Sequence, residues 1–282
     1  MTISRLRALL AALLLLLVIL ACDVPIQAAS PAAPTADTVS LATIVAEKFS
    51  TALQQTAEAG SPLSTPTQPP AIEETPTPEP PAAESTLSRL EDGTTLFIDN
   101  PSGFEVTVPV GWLAVRVDEQ EILVALDLAE ASDPAIQRSL SEIQKQDPEQ
   151  FRLFALDTQD GHIQSGFVTN ISFLWERQTE MSLEDSTDLD AVAASLPDAI
   201  PDIEILSIET STNTNGVQYG AITSSWPIKT DAGQDIVIQQ KQVFLGAKTG
   251  TLVITLSTTE GLRDSTLPAF DAMLETLKID LQ

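Results

Sequence analysis

Eight prolines fall between Pro62 and Pro81, and Thr75-Pro76-Thr77-Pro78 alternates. Each proline fixes φ and removes a backbone donor, so this stretch favours extended polyproline II over packing. Whatever the chain folds into must lie outside it. Residues 22–85 as a whole are rich in Ala, Pro, Thr, Ser and Glu, the composition of a disordered Pro/Thr-rich linker. As a coil this piece would span about 45 Å, the reach of a stalk. Inside it, Leu41, Ile44, Val45, Phe49 and Leu53 recur at helical spacing, which predicts a short helix over 39–58. A partner-binding or membrane-surface role is one reading of that helix. A marginal isolated helix is the other, favoured because Lys48 is its one basic residue and a single turn-by-turn helix in water is weakly stable.

The N-terminus reads as a targeting signal. Arg5 and Arg7 precede an uncharged run from Ala8 to Ala21. Fourteen residues make about 21 Å of helix, short of the roughly 30 Å hydrocarbon core of a bilayer, so the run suits a signal-peptide core better than a stable span. It ends in Ile19-Leu20-Ala21-Cys22. These residues resemble a bacterial lipobox. The resemblance implies a signal peptide over 1–21, cleavage after Ala21, and a mature chain that begins at lipidated Cys22. The fatty acyl groups, palmitate among them, would hold the chain on the extracytoplasmic side of the cell membrane, since two or more chains give a stable anchor. An ordinary cleaved signal or an uncleaved helix, with Cys22 incidental, is the alternative.

Composition narrows the chemistry. Lys and Arg number 14 against 40 Asp and Glu, a formal charge of −26. No basic stripe exists to neutralise phosphates, which excludes nucleic acid as a partner. One Cys and one His exclude a disulfide framework and a Cys/His zinc site.

The remaining residues, 86–282, are numerous enough for one core. Phe104, Val106 and Val108 alternate with Glu105 and Thr107, as a half-buried strand does. Asn100-Pro101-Ser102-Gly103 predicts a hairpin turn before it. Glu121–Leu128 is a further candidate strand, although its Ala and Leu suit a helix as well, and strands are predicted over Phe151–Leu156 and Phe167–Trp175. Asp133-Pro134 starts a helix to about Lys145. Thr187-Asp188 caps another, with Leu189, Val192, Ala193 and Leu196 on one face and Pro197 and Pro201 closing it. Ile203–Glu209, Val217–Ile228, Asp235–Leu245 and Thr251–Ser257, joined by short turn-rich connections, predict an antiparallel meander. A last helix, about Leu267 to Leu277, carries Phe270, Met273, Leu274 and Leu277 inward. Runs of strands punctuated by separate helices indicate an α+β fold, an antiparallel sheet covered by helices.

Gly103-Phe104-x-Val106-x-Val108-Pro109-x-Gly111-Trp112, the meander containing Tyr219, and Thr259-x-Gly261 before the last helix resemble the PsbP-like family, which includes Mog-type and bacterial lipoprotein members. The resemblance spans most of residues 94–280. It implies an α/β/α sandwich with no shared enzymatic activity, in a family whose members act mostly as binding or assembly factors. No binding residue of the family matches here position by position, so none is carried over.

Sites of chemistry are few. His162, in Asp160-Gly161-His162, reads as an exposed turn residue, and the nucleophile-elbow motif of a hydrolase is absent. The acidic run Glu184, Asp185, Asp188 and Asp190 offers oxygen ligands to a cation such as Ca²⁺, but acids at a helix N-terminus are also what the helix dipole favours. The solvated cap is the preferred reading, and no cofactor is implied. Asp118-Glu119-x-Glu121 reads as a solvated loop. Trp112, Trp175 and Trp226 read as core, with Trp226, before Pro227, the candidate for partial exposure and ligand binding. The sequence thus points to a lipid-anchored, non-enzymatic module that binds an unidentified envelope protein; a small-ligand or cation-binding lipoprotein is the alternative.

Overall fold

The computed structural model describes residues 85–177, 181–183, 186–230, 233–247 and 250–279. The expected signal segment, the linker and the helix over 39–58 lie outside these residues.

The opening hairpin forms as the alternation requires. Strand β2 (Thr95–Asp99) pairs antiparallel with β3 (Phe104–Val108), Thr95 opposite Val108 and Asp99 opposite Phe104. In the turn, the Gly103 N–H donates to the Asp99 carbonyl at 2.8 Å with φ at 69°, a conformation glycine takes without steric cost. β1 (Thr86–Arg89) and β13 (Lys278–Ile279) flank the hairpin, giving a four-stranded sheet in the order β1-β2-β3-β13.

A larger sheet holds β4 (Trp112–Val115), β5 (Phe151–Asp157), β8 (Asn170–Arg177), β9 (Glu204–Thr212), β10 (Gln218–Lys229), β11 (Asp235–Ala247) and β12 (Gly250–Thr259). Its order is β4-β5-β8-β12-β11-β10-β9, antiparallel throughout. The expected meander is its β9–β12 half. The run expected over Phe167–Trp175 is broken at Thr169, because β7 (Phe167–Val168) turns aside to pair with β6 (Ile163–Gln164). Pro227 of β10 is paired with Val237 of β11 and lies beyond the end of β9, whose pairing stops at Glu204 opposite Ser225, so on that side no strand calls on its missing N–H.

Among the described residues, four helices complete the architecture. Helix α1 (Glu119–Leu126) stands where the sequence predicted a strand over Glu121–Leu128. The Asp118 carboxylate caps it by accepting from the Glu121 N–H at 3.0 Å, so the acidic residues 118–121 are a cap and first turn, not a loop. Only Ile122 and Ala125, three apart, are buried, while Leu123 and Val124 are exposed; the apolar run is one helical stripe plus surface. Helix α2 (Pro134–Ile143) has the expected cap, Asp133 Oδ1 accepting from the Ala135 N–H at 2.7 Å. Helix α3 (Thr187–Ala199) buries Leu189, Val192, Ala193 and Leu196, as expected, but continues through Pro197 to Ala199. Helix α4 (Arg263–Thr276) begins four residues before the predicted start, led in by a 3-10 turn over Glu260–Leu262.

The layers follow from which side chains each sheet face carries. One face of the large sheet, with Phe154, Leu174, Ile222 and Phe244, packs under α1, α2 and α3. The other, with Ile171, Phe173, Leu245 and Ile254, packs against Phe97, Phe104 and Val106 of the small sheet and Phe270, Met273 and Leu274 of α4. The fold is α+β, an antiparallel sheet between helical layers, with the small sheet sharing one side.

Candidate functional site

The predicted site residues are not brought together. Cys22, Glu184 and Asp185 lie outside the described residues. Asp188 and Asp190 stand in the first turn of α3, with Ser186 as N-cap. Asp188 accepts from the Ser182 N–H at 2.9 Å and Asp190 from the Ser186 hydroxyl at 2.7 Å. These carboxylates organise the entry to the helix. Among the described residues no group of three or more His, Cys, Asp or Glu is arranged to hold a metal. Trp226 is 4% exposed and belongs to the core under the helices, so its expected partial exposure is not found; Trp112 and Trp175 are core residues as expected.

His162 is not the exposed turn residue the sequence suggested. Its Nδ1 lies 2.6 Å from Oδ2 of the fully buried Asp157, and the His side chain is 18% exposed. Asp157 also accepts from the Gln159 N–H at 3.0 Å, and the His162 N–H closes the same turn onto the Gln159 carbonyl. No hydroxyl or thiol among the described residues hydrogen-bonds the imidazole, so the pair fastens the turn after β5 and lacks the third member of a nucleophilic triad.

Three features were not read from the sequence. The first is the outer edge of β9. Residues 206–212 are exposed throughout, including Leu206 at 41% and Ile208 at 39%. β9 pairs with β10 on one side, and among the described residues no strand pairs with the other. The register slips between Thr223 and Ser224, leaving Leu206 as a bulged residue. A bulge twists an edge and blunts it, so the regular, pairing-competent part is Ser207–Thr212.

The second is a cleft of about 420 Å³ between the outer strands of the two sheets. Leu87 of β1, Trp112 of β4 and Leu128 line it, with Arg89 and Glu130 joined across its rim at 3.1 Å. The Trp112 indole N–H is buried and has no acceptor among the described residues.

The third is a polar island on the helix-covered face of the large sheet. Asn170, Ser257, Gln240 and Ser224 lie side by side on β8, β12, β11 and β10, and Ser172, Thr255 and Gln242 form the adjoining row. All are 4% exposed or less. Gln240 donates to the Ser257 hydroxyl at 2.9 Å and Asn170 to the Val168 carbonyl at 3.0 Å, yet seven side-chain atoms of the island find no partner among the described residues. Each costs about 1–3 kcal/mol if left bare, and together they would rival the roughly 5–15 kcal/mol that holds a whole domain folded.

No family model matches the chain, and no curated protein matches it in sequence. Among solved structures, it is similar to cyanobacterial PsbP from Synechocystis, with 16% identity over 67% of this chain and 94% of that one and a TM-score of 0.39. LpqN of Mycobacterium tuberculosis, described as involved in cell envelope biogenesis, has 12% identity over 70% and 90%, TM-score 0.38. The Ran-binding protein Mog1p of Saccharomyces cerevisiae has 9% identity over 70% and 95%, TM-score 0.37.

Proposed function

We propose that this chain is a lipid-anchored extracytoplasmic protein whose globular part binds another protein without catalysing a reaction. The anchoring half of the reading rests on the sequence from Arg5 to Cys22. The binding half is carried by one observation, the exposed edge of β9. An unpaired strand edge offers a row of N–H and C=O groups to an extended segment of a partner, with alternate side chains giving specificity. The negative charge of the chain favours a partner segment of opposite sign.

Two measurements test this. Labelled palmitate is expected to enter the wild-type chain and not Cys22→Ser; equal incorporation overturns the anchor. A photo-crosslinker at Thr210, on β9, is expected to give a discrete adduct in intact cells, whereas one at the exposed Gln137 of α2 gives none. Equal labelling from both positions, or none from Thr210, overturns the β9 surface. The cleft beside Trp112 favours a second reading, a small-ligand lipoprotein, because its volume falls in the range of ligand pockets. That reading expects the Trp112 fluorescence to respond to the ligand.

A further inference from the structure

We propose that the partner taken up by β9 is an extended, basic segment of another protein, which adds antiparallel to Ser207–Thr212 with its cations on the α4 side of the sheet. This inference rests on the protein-binding reading above and specifies the chemistry of the partner.

The backbone comes first. At the turn that joins β9 to β10, the Asn213 N–H donates to the Val217 carbonyl at 3.0 Å. Asn213 and Val217 are therefore a hydrogen-bonded pair, in step with the register that sets Thr212 opposite Gln218. Opposed residues of an antiparallel ladder alternate between bonded and non-bonded pairs. Ser211, Glu209 and Ser207 thus turn their N–H and C=O groups toward β10, while Thr212, Thr210 and Ile208 turn theirs away from it. All six residues are exposed, and among the described residues no strand pairs with their outer side. The outward groups of alternate residues form one row, a template for a further strand.

The charge is equally one-sided. From Gln178 to Ile228 the sequence contains nine Asp and Glu and no Lys, Arg or His. This stretch supplies α3, β9 and nearly all of β10, so the edge is framed by acids from its own hairpin and from the helix packed against it. On the α4 side, Glu209 lies opposite the core residue Ala221. Its carboxylate is 3.7 Å from Lys241 Nζ, which Asp271 of α4 holds more closely, at 2.9 Å. One cation shared by two carboxylates leaves this group short of a positive charge. A residue added opposite Glu209 would form a non-bonded pair, the kind in which side chains come closest, and Lys or Arg there supplies the charge. The other face differs. Ile208 lies opposite Ile222, which is buried beneath the helices, and is itself 39% exposed. Its neighbour in the added strand gains by being apolar. The partner therefore alternates basic and apolar residues. A second copy of this chain does not meet that pattern, since it would lay the same acid-rich stretch against itself.

The test uses the full chain and two peptides, Thr-Lys-Val-Lys-Val-Lys-Thr and the same peptide with Glu for each Lys. The basic peptide is expected to bind saturably, about tenfold or more tighter than the acidic one, and to weaken as salt is raised. It is expected to slow hydrogen exchange at the N–H groups of Ile208, Thr210 and Thr212, and to leave those of Ser207, Glu209 and Ser211, already paired with β10, nearly unchanged. Glu209→Gln should weaken binding about threefold or more. Thr210→Pro removes an outward N–H without removing a ladder bond to β10 and should abolish binding, whereas Thr210→Val keeps that N–H and should not. Where Thr210→Pro proves unfolded, the exchange pattern and Glu209→Gln decide. Equal binding of the two peptides, no binding of the basic one, or protection confined to Ser207, Glu209 and Ser211 overturns the proposal. Any of these results together with a cellular crosslink from Thr210 removes the basic strand and leaves the protein-binding reading standing. A basic peptide that pairs as described, with no crosslink in cells, overturns that reading and leaves the edge's preference for basic strands standing.

Discussion

Arg152 on β5 holds Asp99 on β2 by two hydrogen bonds, Nε to Oδ2 at 2.7 Å and Nη2 to Oδ1 at 2.8 Å. Asp99 is fully buried and the Arg152 side chain 11% exposed. The pair joins the large sheet to the small one. The Ser85 hydroxyl adds a 2.6 Å bond to Asp99. Burial pushes the Asp99 carboxyl up, but the bonds from Arg152 and Ser85 outweigh it and hold the group below its usual 3.8. A depressed carboxylate stabilises the fold above its unfolded pKa and ceases to do so as pH falls through the depressed value. Asp99→Asn is expected to cost about 3–5 kcal/mol, the loss seen when one member of a buried pair is removed. Thermal melts should show the full gap between variant and wild type at neutral pH, closing only below pH 3.8.

Glu176 behaves in the opposite sense. Burial at the end of β8 pushes its carboxyl up to about 7. The native state therefore favours the neutral acid. Its contribution is complete below the ordinary 4.5 and is lost as pH rises through about 7, by at most about 3 kcal/mol. Glu176→Gln should remove this slope: its Tm is expected to exceed that of wild type at pH 8 and match it at pH 4.5.

Gly220 on β10 lies directly under α3. A Cβ there would sit 2.9 Å from Leu189 Cδ1 and 3.0 Å from Leu183 Cδ2. Gly220→Ala is expected to cost about 1–3 kcal/mol by overpacking, read as a lower midpoint in urea. Leu189→Ala in the same chain should recover part of the loss if the contact is the cause, although it removes buried surface of its own.

Asn213 clamps the end of α4. Its buried Nδ2 donates to the carbonyls of Leu274 and Leu277 at 2.9 and 2.8 Å, while Oδ1 accepts from the N–H groups of Asn215 and Val217. Asn213→Asp keeps the acceptor and removes both donations. It is expected to cost about 2–4 kcal/mol, and hydrogen exchange should show the last turn of α4 and β13 opening first.

The elements that the sequence predicted well are those with local signals. Alternation and a four-residue turn specify the β2–β3 hairpin; Asp133-Pro134 specifies the start of α2. Glu121–Leu128 failed because Ile122-Leu-Val-Ala-Leu is apolar in every position, so period alone does not separate strand from helix. The site features were harder for a different reason. Asp99 and Arg152 are 53 positions apart, and neither carries a local mark of its partner. In β11, Gln240 and Gln242 flank Lys241, a polar pattern that usually marks a solvent-facing strand. Helical cover buries the glutamines instead. His162 looked exposed because Asp160-Gly161 marks a turn between strands; its partner, Asp157, is concealed at the end of the preceding strand.

Ser85 is gripped as soon as the described chain begins. Its hydroxyl sits between Asp99 and Arg152, and its carbonyl accepts from Arg116 at 2.7 Å. A load pulling on the polypeptide ahead of Ser85 is therefore taken first by two guanidinium groups rooted in the large sheet. The short strand β1, four residues long, is spared from being unzipped pair by pair, and tension on the globule is spread into its broadest layer.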